Sequence, residues 1–308
     1  VAPVDGVSVT VVDTAEQRGG AGPASHRRRP MLPTGLLVTT GLFIVSAYFL
    51  GPVLYLLVAS TKSTGDLFNT SGWWFGHHFD LLTNLSNVFT YDDHIYLRWL
   101  LNSMIYAGLG AGGATLLAAA CGYAMAKYSF RGREAIFSIV LGGVLLPSTA
   151  LAIPLYLLLS KVSLVDTYWS VLLPSLVSPF GVYLSRIYAG AAVPDELLDA
   201  SRVDGASELR TFLTVGLRLM SPGLVTVFLF QFVAIWNNFL LPLIMLSNDH
   251  LYPVTLGLFT WNDEIQHYPG YFGLVVIGSA VSVLPLAIAF LMLQRYWRND
   301  LALGAVKQ

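Results

Sequence analysis

The chain has 308 residues, of which 55% are hydrophobic and 11% charged, with a net charge of −1. A water-exposed domain carries about 25% charged residues, so the composition excludes an ordinary soluble globular protein. The balanced charge gives no general attraction to nucleic acid, and one cysteine, Cys121, leaves no internal disulfide.

A bilayer core about 30 Å thick needs about 20 apolar residues at about 1.5 Å each. Residues 1–32 come first and do not meet that test. They are rich in Gly, Ala and Ser, end in Arg27-Arg28-Arg29-Pro30, and read as a disordered tail whose basic run fixes orientation or touches anionic lipid. Residues 33–308 form one transmembrane domain. Its six apolar runs lie at about Thr34–Ala59, Ser103–Ala126, Ala135–Ser160, Tyr168–Tyr188, Leu219–Leu246 and Tyr271–Leu293. The first starts too far in and is too long for a cleaved leader. Pro147 and Pro154 inside the third are tolerable where neighbouring helices re-satisfy the backbone. The predicted fold class is therefore all-α, a polytopic membrane protein with six spans.

Six spans put both termini on one side. That side would hold 14 of the 17 Lys and Arg residues, and the other only Lys62, Arg98 and Lys161. Cationic loops stay in the cytoplasm, so both termini are expected there. The long outer loop from about Ser60 to Arg98 carries Trp73, Trp74, Phe75, Phe79 and Phe89, suited to an interfacial belt.

Gly108-Leu109-Gly110-Ala111-Gly112-Gly113 matches a dinucleotide-binding pattern, but no strand precedes it and it lies inside an apolar span. Small residues there suit close helix packing. No phosphate-binding G-x-x-x-x-G-K-[ST] occurs, so any ATP-driven work needs a partner. The spans hold almost no ionisable side chains, which argues against an ion-coupled carrier and fits a neutral or zwitterionic cargo. Ser148, Thr149, Tyr156, Gln231, Asn237 and Asn238 are polar candidates for a passage; ordinary interhelical hydrogen bonding explains them equally well.

The loop at residues 194–218 is the most informative. Pro194 suits a first helical turn, Asp195 and Glu196 complement the helix N-terminus, Gly205 suits a left-handed stop, and Ser207 suits a cap. The spacing predicts two short helices at an angle with Gly205 at the turn. A helix–turn–helix invites a DNA-binding reading, but five acids against three arginines have the wrong sign for it.

This loop resembles the coupling loop of ATP-binding-cassette (ABC) importer permeases, E-A-A-x-x-x-G followed by I-x-L-P. Asp199-Ala200-Ser201 stands for E-A-A, Gly205 is in register, and Val215 and Leu217 occupy the I and L positions. Asp199, Ser201 and Arg218 depart from the pattern. Leu101-Asn102-Ser103, Phe130-Arg131-Gly132-Arg133, Ile153-Pro154-Leu155-Tyr156, Trp236-Asn237-Asn238-Phe239-Leu240 and Gln294-Arg295-Tyr296-Trp297 extend the likeness to the carbohydrate-uptake branch, over about Ser46 to the C-terminus.

The resemblance implies a type I importer permease in the plasma membrane, forming half of a passage for a sugar, with a di- or oligosaccharide favoured. Glycerol-3-phosphate or another small polar solute is the alternative; an ion-coupled carrier stands further off. It implies a second homologous permease subunit, two ATPase subunits that bind ATP and Mg, an extracytoplasmic sugar-binding protein, and no catalytic site or cofactor in this chain. Leu197, Leu198, Asp199, Ala200, Arg202, Asp204 and Gly205 would meet the ATPase, with Val203 a further anchor. Gly304, Ala305, Val306 and Lys307, within a cytoplasmic tail at 295–308, would reach between the two ATPases. Tyr156, Gln231, Asn237 and Asn238 are the implied passage residues.

Overall fold

A computed structural model describes residues 34–304. The expected N-terminal tail and residues 305–308 lie outside them. The chain separates into two units, one ending at Leu50 and one beginning at Gly51.

In the first unit the described residues are the opening turns of helix α1 (Thr34–Ser60). Leu36, Leu37, Leu42, Phe43, Tyr48 and Phe49 are all exposed. A helix that is apolar all round belongs in lipid or a large core.

The second unit continues α1 into α2 (Thr64–Asn69), α3 (Leu81–Thr90), α4 (Ile95–Lys127), α5 (Arg133–Val144), α6 (Ser148–Lys161), α7 (Tyr168–Ser175), α8 (Pro179–Ala192), α9 (Asp195–Val203), α10 (Glu208–Thr211), α11 (Leu217–Trp236), α12 (Leu240–Met245), α13 (Val254–Asp263) and α14 (Tyr271–Gly304). A π-helical turn, Phe212–Gly216, joins α10 to α11, so Glu208–Trp236 runs on as one 29-residue helix. Among the described residues five helical stretches are long and apolar enough to cross a membrane, or six where the bent pair α5–α6 counts as one span.

Helix α4 is the axis of this unit and packs against α8 and α11. Its small residues make the approach close. A Cβ on Gly122 would stand 2.6 Å from the backbone nitrogen of Arg186, and one on Gly110 would meet Ile235 and Ser175. The glycine-rich run is thus a packing face at Gly110 and Gly113, while Gly108 and Gly112 face open space. One core cluster gathers Tyr96, Trp99, Tyr106, Phe232, Trp236 and Trp261. A second gathers Ala119, Tyr123, Ala189, Val193, Leu198, Met220 and Leu224.

The Leu101-Asn102-Ser103 motif proves structural. Asn102 is 1% exposed. Its Nδ2 donates to the carbonyls of His250 (2.9 Å) and Tyr252 (3.0 Å), and its Oδ1 accepts from the Tyr168 hydroxyl at 2.8 Å. Ser103 Oγ accepts from the backbone N–H of Val254 at 2.7 Å. Together they fasten the start of α13 to α4.

The loop after α1 is folded tightly. Lys62 is buried, and its ammonium donates to Thr70 Oγ1 at 3.0 Å and to the Ser71 carbonyl at 2.6 Å. Asp66 is buried and accepts from the backbone N–H (2.9 Å) and ring Nδ1 (2.9 Å) of His77 and from the backbone N–H of His78 at 3.4 Å. These bonds hold the carboxyl pKa of Asp66 below its ordinary value, the ring of His77 first, against a smaller opposing effect of desolvation. Trp73, Trp74, Phe75 and Phe79 remain exposed, and Trp73 packs edge-on against Tyr55 at 5.9 Å.

Several expected boundaries change. The third span is not straight: α5 and α6 meet at 103°. Pro147 disfavours helical backbone at Leu146 and cannot supply the N–H a continuous helix would need. The fifth span begins at Glu208 and stops at Trp236 rather than running from Leu219 to Leu246, because the chain breaks at Asn237-Asn238. The fourth divides between Ser175 and Pro179, the second starts at Ile95, and α14 runs to Gly304.

Candidate functional site: a short helix hung below the bundle

Helix α9 has acids in its first turn and Arg202 in its last, matching the helix dipole. Pro194 is the residue before the first turn, with φ −67° and ψ 141°, and Asp195 opens the helix. Leu198 is 3% exposed and packs into the second cluster against Tyr123 and Met220. It therefore seats α9 on its own bundle and does not face outward. Leu197 is 44% exposed and Val203 88% exposed, and Asp199, Ala200 and Asp204 are exposed too. These form the face α9 presents outward.

Gly205 ends α9 with φ +73°. Its N–H donates to the Arg202 carbonyl and the Ala206 N–H donates to the Ser201 carbonyl, both at 3.0 Å. The two bonds are the Schellman arrangement. Ser207 then caps the next helix by accepting from the Arg210 N–H at 3.4 Å. The expected second short helix is instead the first turn of the long helix Glu208–Trp236. The loop is one short helix, a sharp turn, and the foot of a span.

Polar contacts fix the angle. Arg202 donates from its guanidinium to Asp199 Oδ1 at 2.9 Å and to Glu208 Oε1 at 3.0 Å. Those carboxylates, Glu208 first, hold the Arg202 pKa above its usual value. The Tyr128 hydroxyl donates to Glu208 Oε2 at 2.6 Å. Burial and then this contact raise the Tyr128 pKa. Lys127 Nζ donates to Asp195 Oδ1 at 2.9 Å. Lys127, Tyr128, Asp195 and Glu208 were not among the sequence candidates.

The passage candidates fall on other elements. Asn237 is exposed just past α11, and its Nδ2 donates to the Val233 carbonyl at 2.8 Å. Asn238 is half-buried; its Oδ1 accepts from the Leu241 N–H at 3.4 Å and its carbonyl accepts from Thr255 Oγ1 at 3.2 Å. The two asparagines thus close α11 and open α12. Gln231 lies further back on α11, half-buried, and Tyr156 on α6 is 37% exposed. Gly304 is the last residue of α14; Ala305, Val306 and Lys307 lie outside the described residues. Among the described residues no three His, Cys, Asp or Glu side chains gather as metal ligands.

Residues 114–300 match the model of the family described as binding-protein-dependent transport system inner membrane component. The arabinooligosaccharides transport system permease protein AraQ of Halalkalibacterium halodurans is 33% identical over 272 residues, 88% of this chain and 96% of that one. The lactose transport system permease protein LacG of Rhizobium radiobacter is 28% identical, covering 83% and 90%. Among solved structures, a bacterial ABC transporter involved in the import of the acidic polysaccharide alginate contains a chain that superposes with a TM-score of 0.76 at 20% identity, over 85% of this chain and 96% of that one. With its multiple apolar spans, this chain belongs to the family of inner membrane components of binding-protein-dependent transport systems, the permeases of ABC importers.

Proposed function

We propose that this permease forms half of the membrane passage for a di- or oligosaccharide and receives its power stroke through α9. The observation that carries the reading is the outward face of α9. Leu197 and Val203 stand exposed on a short helix whose exit is fixed by the left-handed Gly205. Leu197 and Val203 together give this face apolar area that a cleft on a second protein would bury. Relatives named for arabinooligosaccharide and lactose transport support a sugar as cargo.

In this reading a homologous permease completes the passage, and two ATPase subunits bind ATP and Mg. An extracytoplasmic sugar-binding protein delivers the cargo. Both termini face the cytoplasm, on the side of α9. The same reading assigns Gly304, Ala305, Val306 and Lys307 to contact with the ATPases. The chain carries out transport and leaves hydrolysis to its partners.

The test is co-purification of the ATPase with Val203→Asp permease in the assembled complex. The reading expects ATPase recovery to fall at least several-fold while the permease stays in the membrane. Full recovery would overturn it. Uptake of arabinotriose, lactose and glycerol-3-phosphate by the reconstituted importer tests the cargo class, and uptake of glycerol-3-phosphate alone would replace sugar with its alternative.

A further inference from the structure

Leu198 is a single apolar knob under α9. One knob seats a short helix but leaves it free to swivel. The swivel is restrained at both ends from the inner end of α4, directly at one end and through Glu208 at the other. At the N-terminal end, the Lys127 ammonium meets Asp195 at 2.9 Å. The Lys127 side chain is 7% exposed while Asp195 is 77% exposed. A nearly buried cation needs its partner far more than a solvated acid does. At the C-terminal end, Tyr128 holds one oxygen of Glu208 and Arg202 holds the other. Glu208 is also the first residue of the helix that becomes α11. Above these ties, the Tyr123 ring packs 5.0 Å from that of Phe212 in the π-helical turn.

We propose that Lys127 and Tyr128 are positioning residues that make α9 and the inner end of α4 move as one body. A displacement of α9 then passes directly to α4, the central helix of the unit, and through Glu208 to α11. The proposal rests on the reading that α9 is where the ATPase pushes. It adds which span receives the push and by which side chains. The contacts lie 68 residues apart for Lys127 with Asp195 and 80 apart for Tyr128 with Glu208, so they report tertiary design and not local helix chemistry.

The experiment needs no knowledge of the cargo. The lone cysteine is removed as Cys121→Ala, and spin labels are placed at Leu109→Cys on α4 and Glu196→Cys on α9, both exposed positions. Eighteen residues of α4 separate Leu109 from Lys127, about 27 Å at about 1.5 Å per residue, a span that dipolar spectroscopy measures. The complex with its ATPase is studied in lipid nanodiscs with and without ATP and a hydrolysis-blocking transition-state mimic. The expected result is one narrow distance that does not change with nucleotide. Lys127→Met combined with Tyr128→Phe should broaden it or make it nucleotide-dependent at unchanged yield of complex, and Lys127→Arg should keep it narrow. A nucleotide-dependent shift in the intact background, or an unchanged distribution in the double variant, overturns the clamp. The Val203→Asp arm separates the two claims. Loss of ATPase there upholds the docking face and leaves the distances to judge the clamp alone, whereas retained ATPase overturns the docking reading and the proposal together.

Discussion

Asp199 accepts a hydrogen bond from Arg202 on its own helix, with 2.9 Å between Oδ1 and the guanidinium nitrogen. The carboxylate that stands for the family's glutamate is thus already engaged within the chain, and Arg202 keeps a second acceptor in Glu208. Asp199→Ala therefore removes one exposed pair and leaves the other. Gly205→Val is different. A Cβ there meets nothing within 4 Å, so the cost is backbone strain alone, about 1–2 kcal/mol in the left-handed conformation. Gly205→Val is expected to leave the permease in the membrane and to lower sugar-stimulated ATPase activity more than Asp199→Ala. Both rates in the purified importer check the order, and normal activity of Gly205→Val would refute it.

Asn102 satisfies two backbone carbonyls and one hydroxyl inside the bundle. Asn102→Leu would take the donor from the Tyr252 carbonyl and the acceptor from the Tyr168 hydroxyl, while the His250 carbonyl keeps the Arg98 guanidinium at 3.0 Å. Each unsatisfied buried group costs about 1–3 kcal/mol. A drop in melting temperature of the detergent-solubilised complex of several degrees is expected, and an unchanged melting temperature would mean that water replaces the amide fully.

Acid should loosen the loop after α1 late. The Asp66 carboxyl has a folded pKa below its unfolded value near 3.8. Its contribution is therefore present above about pH 3.8 and is lost as pH falls through the lower folded value. Hydrogen exchange of residues 63–80, corrected for intrinsic rate, is expected to stay constant from neutral pH down to about 4 and to rise below that. Asp66→Asn should show raised exchange already at neutral pH; equal exchange in both proteins would contradict the role given to Asp66.

From the bias of basic residues we propose that the α9 side faces the cytoplasm. A membrane-impermeant thiol reagent added to intact cells should label His250→Cys and spare Arg133→Cys in the Cys121→Ala background. The reverse pattern would invert the orientation.

Asn237 and Asn238 mark the break after α11. If Asn237, whose side chain is exposed, lines the passage, Asn237→Leu should change the rate or sugar preference of uptake, with the half-buried Asn238 affected through α12. Unchanged uptake in both leucine variants would leave them as helix-ending residues only.

The apolar runs and the Gly205 turn were legible because they depend on short-range chemistry: hydrophobic length, a residue without Cβ, a hydroxyl before an acid. The direction of Leu198 was not. Adjacent leucines on a helix lie about 100° apart, and only the position of Tyr123 and Met220 decides which one turns inward. Lys127 and Tyr128 were invisible for the same reason, since their partners lie far along the chain. The bend at Pro147 was half legible. Its proline was noted inside a span, but Pro154 nearby sits within a helix without ending it, and local sequence does not separate the two cases.

That bend sets where water or protein must stand. At the corner between α5 and α6, Leu145, Leu146, Ser148 and Thr149 are exposed, and α6 starts at Ser148 without a side-chain cap from Pro147. The last carbonyls of one helix and the first amides of the next meet there, part-way along what composition marks as a span. Hydrocarbon offers such groups no partner. Wherever this corner lies in the hydrocarbon layer, lipid is therefore the neighbour it excludes.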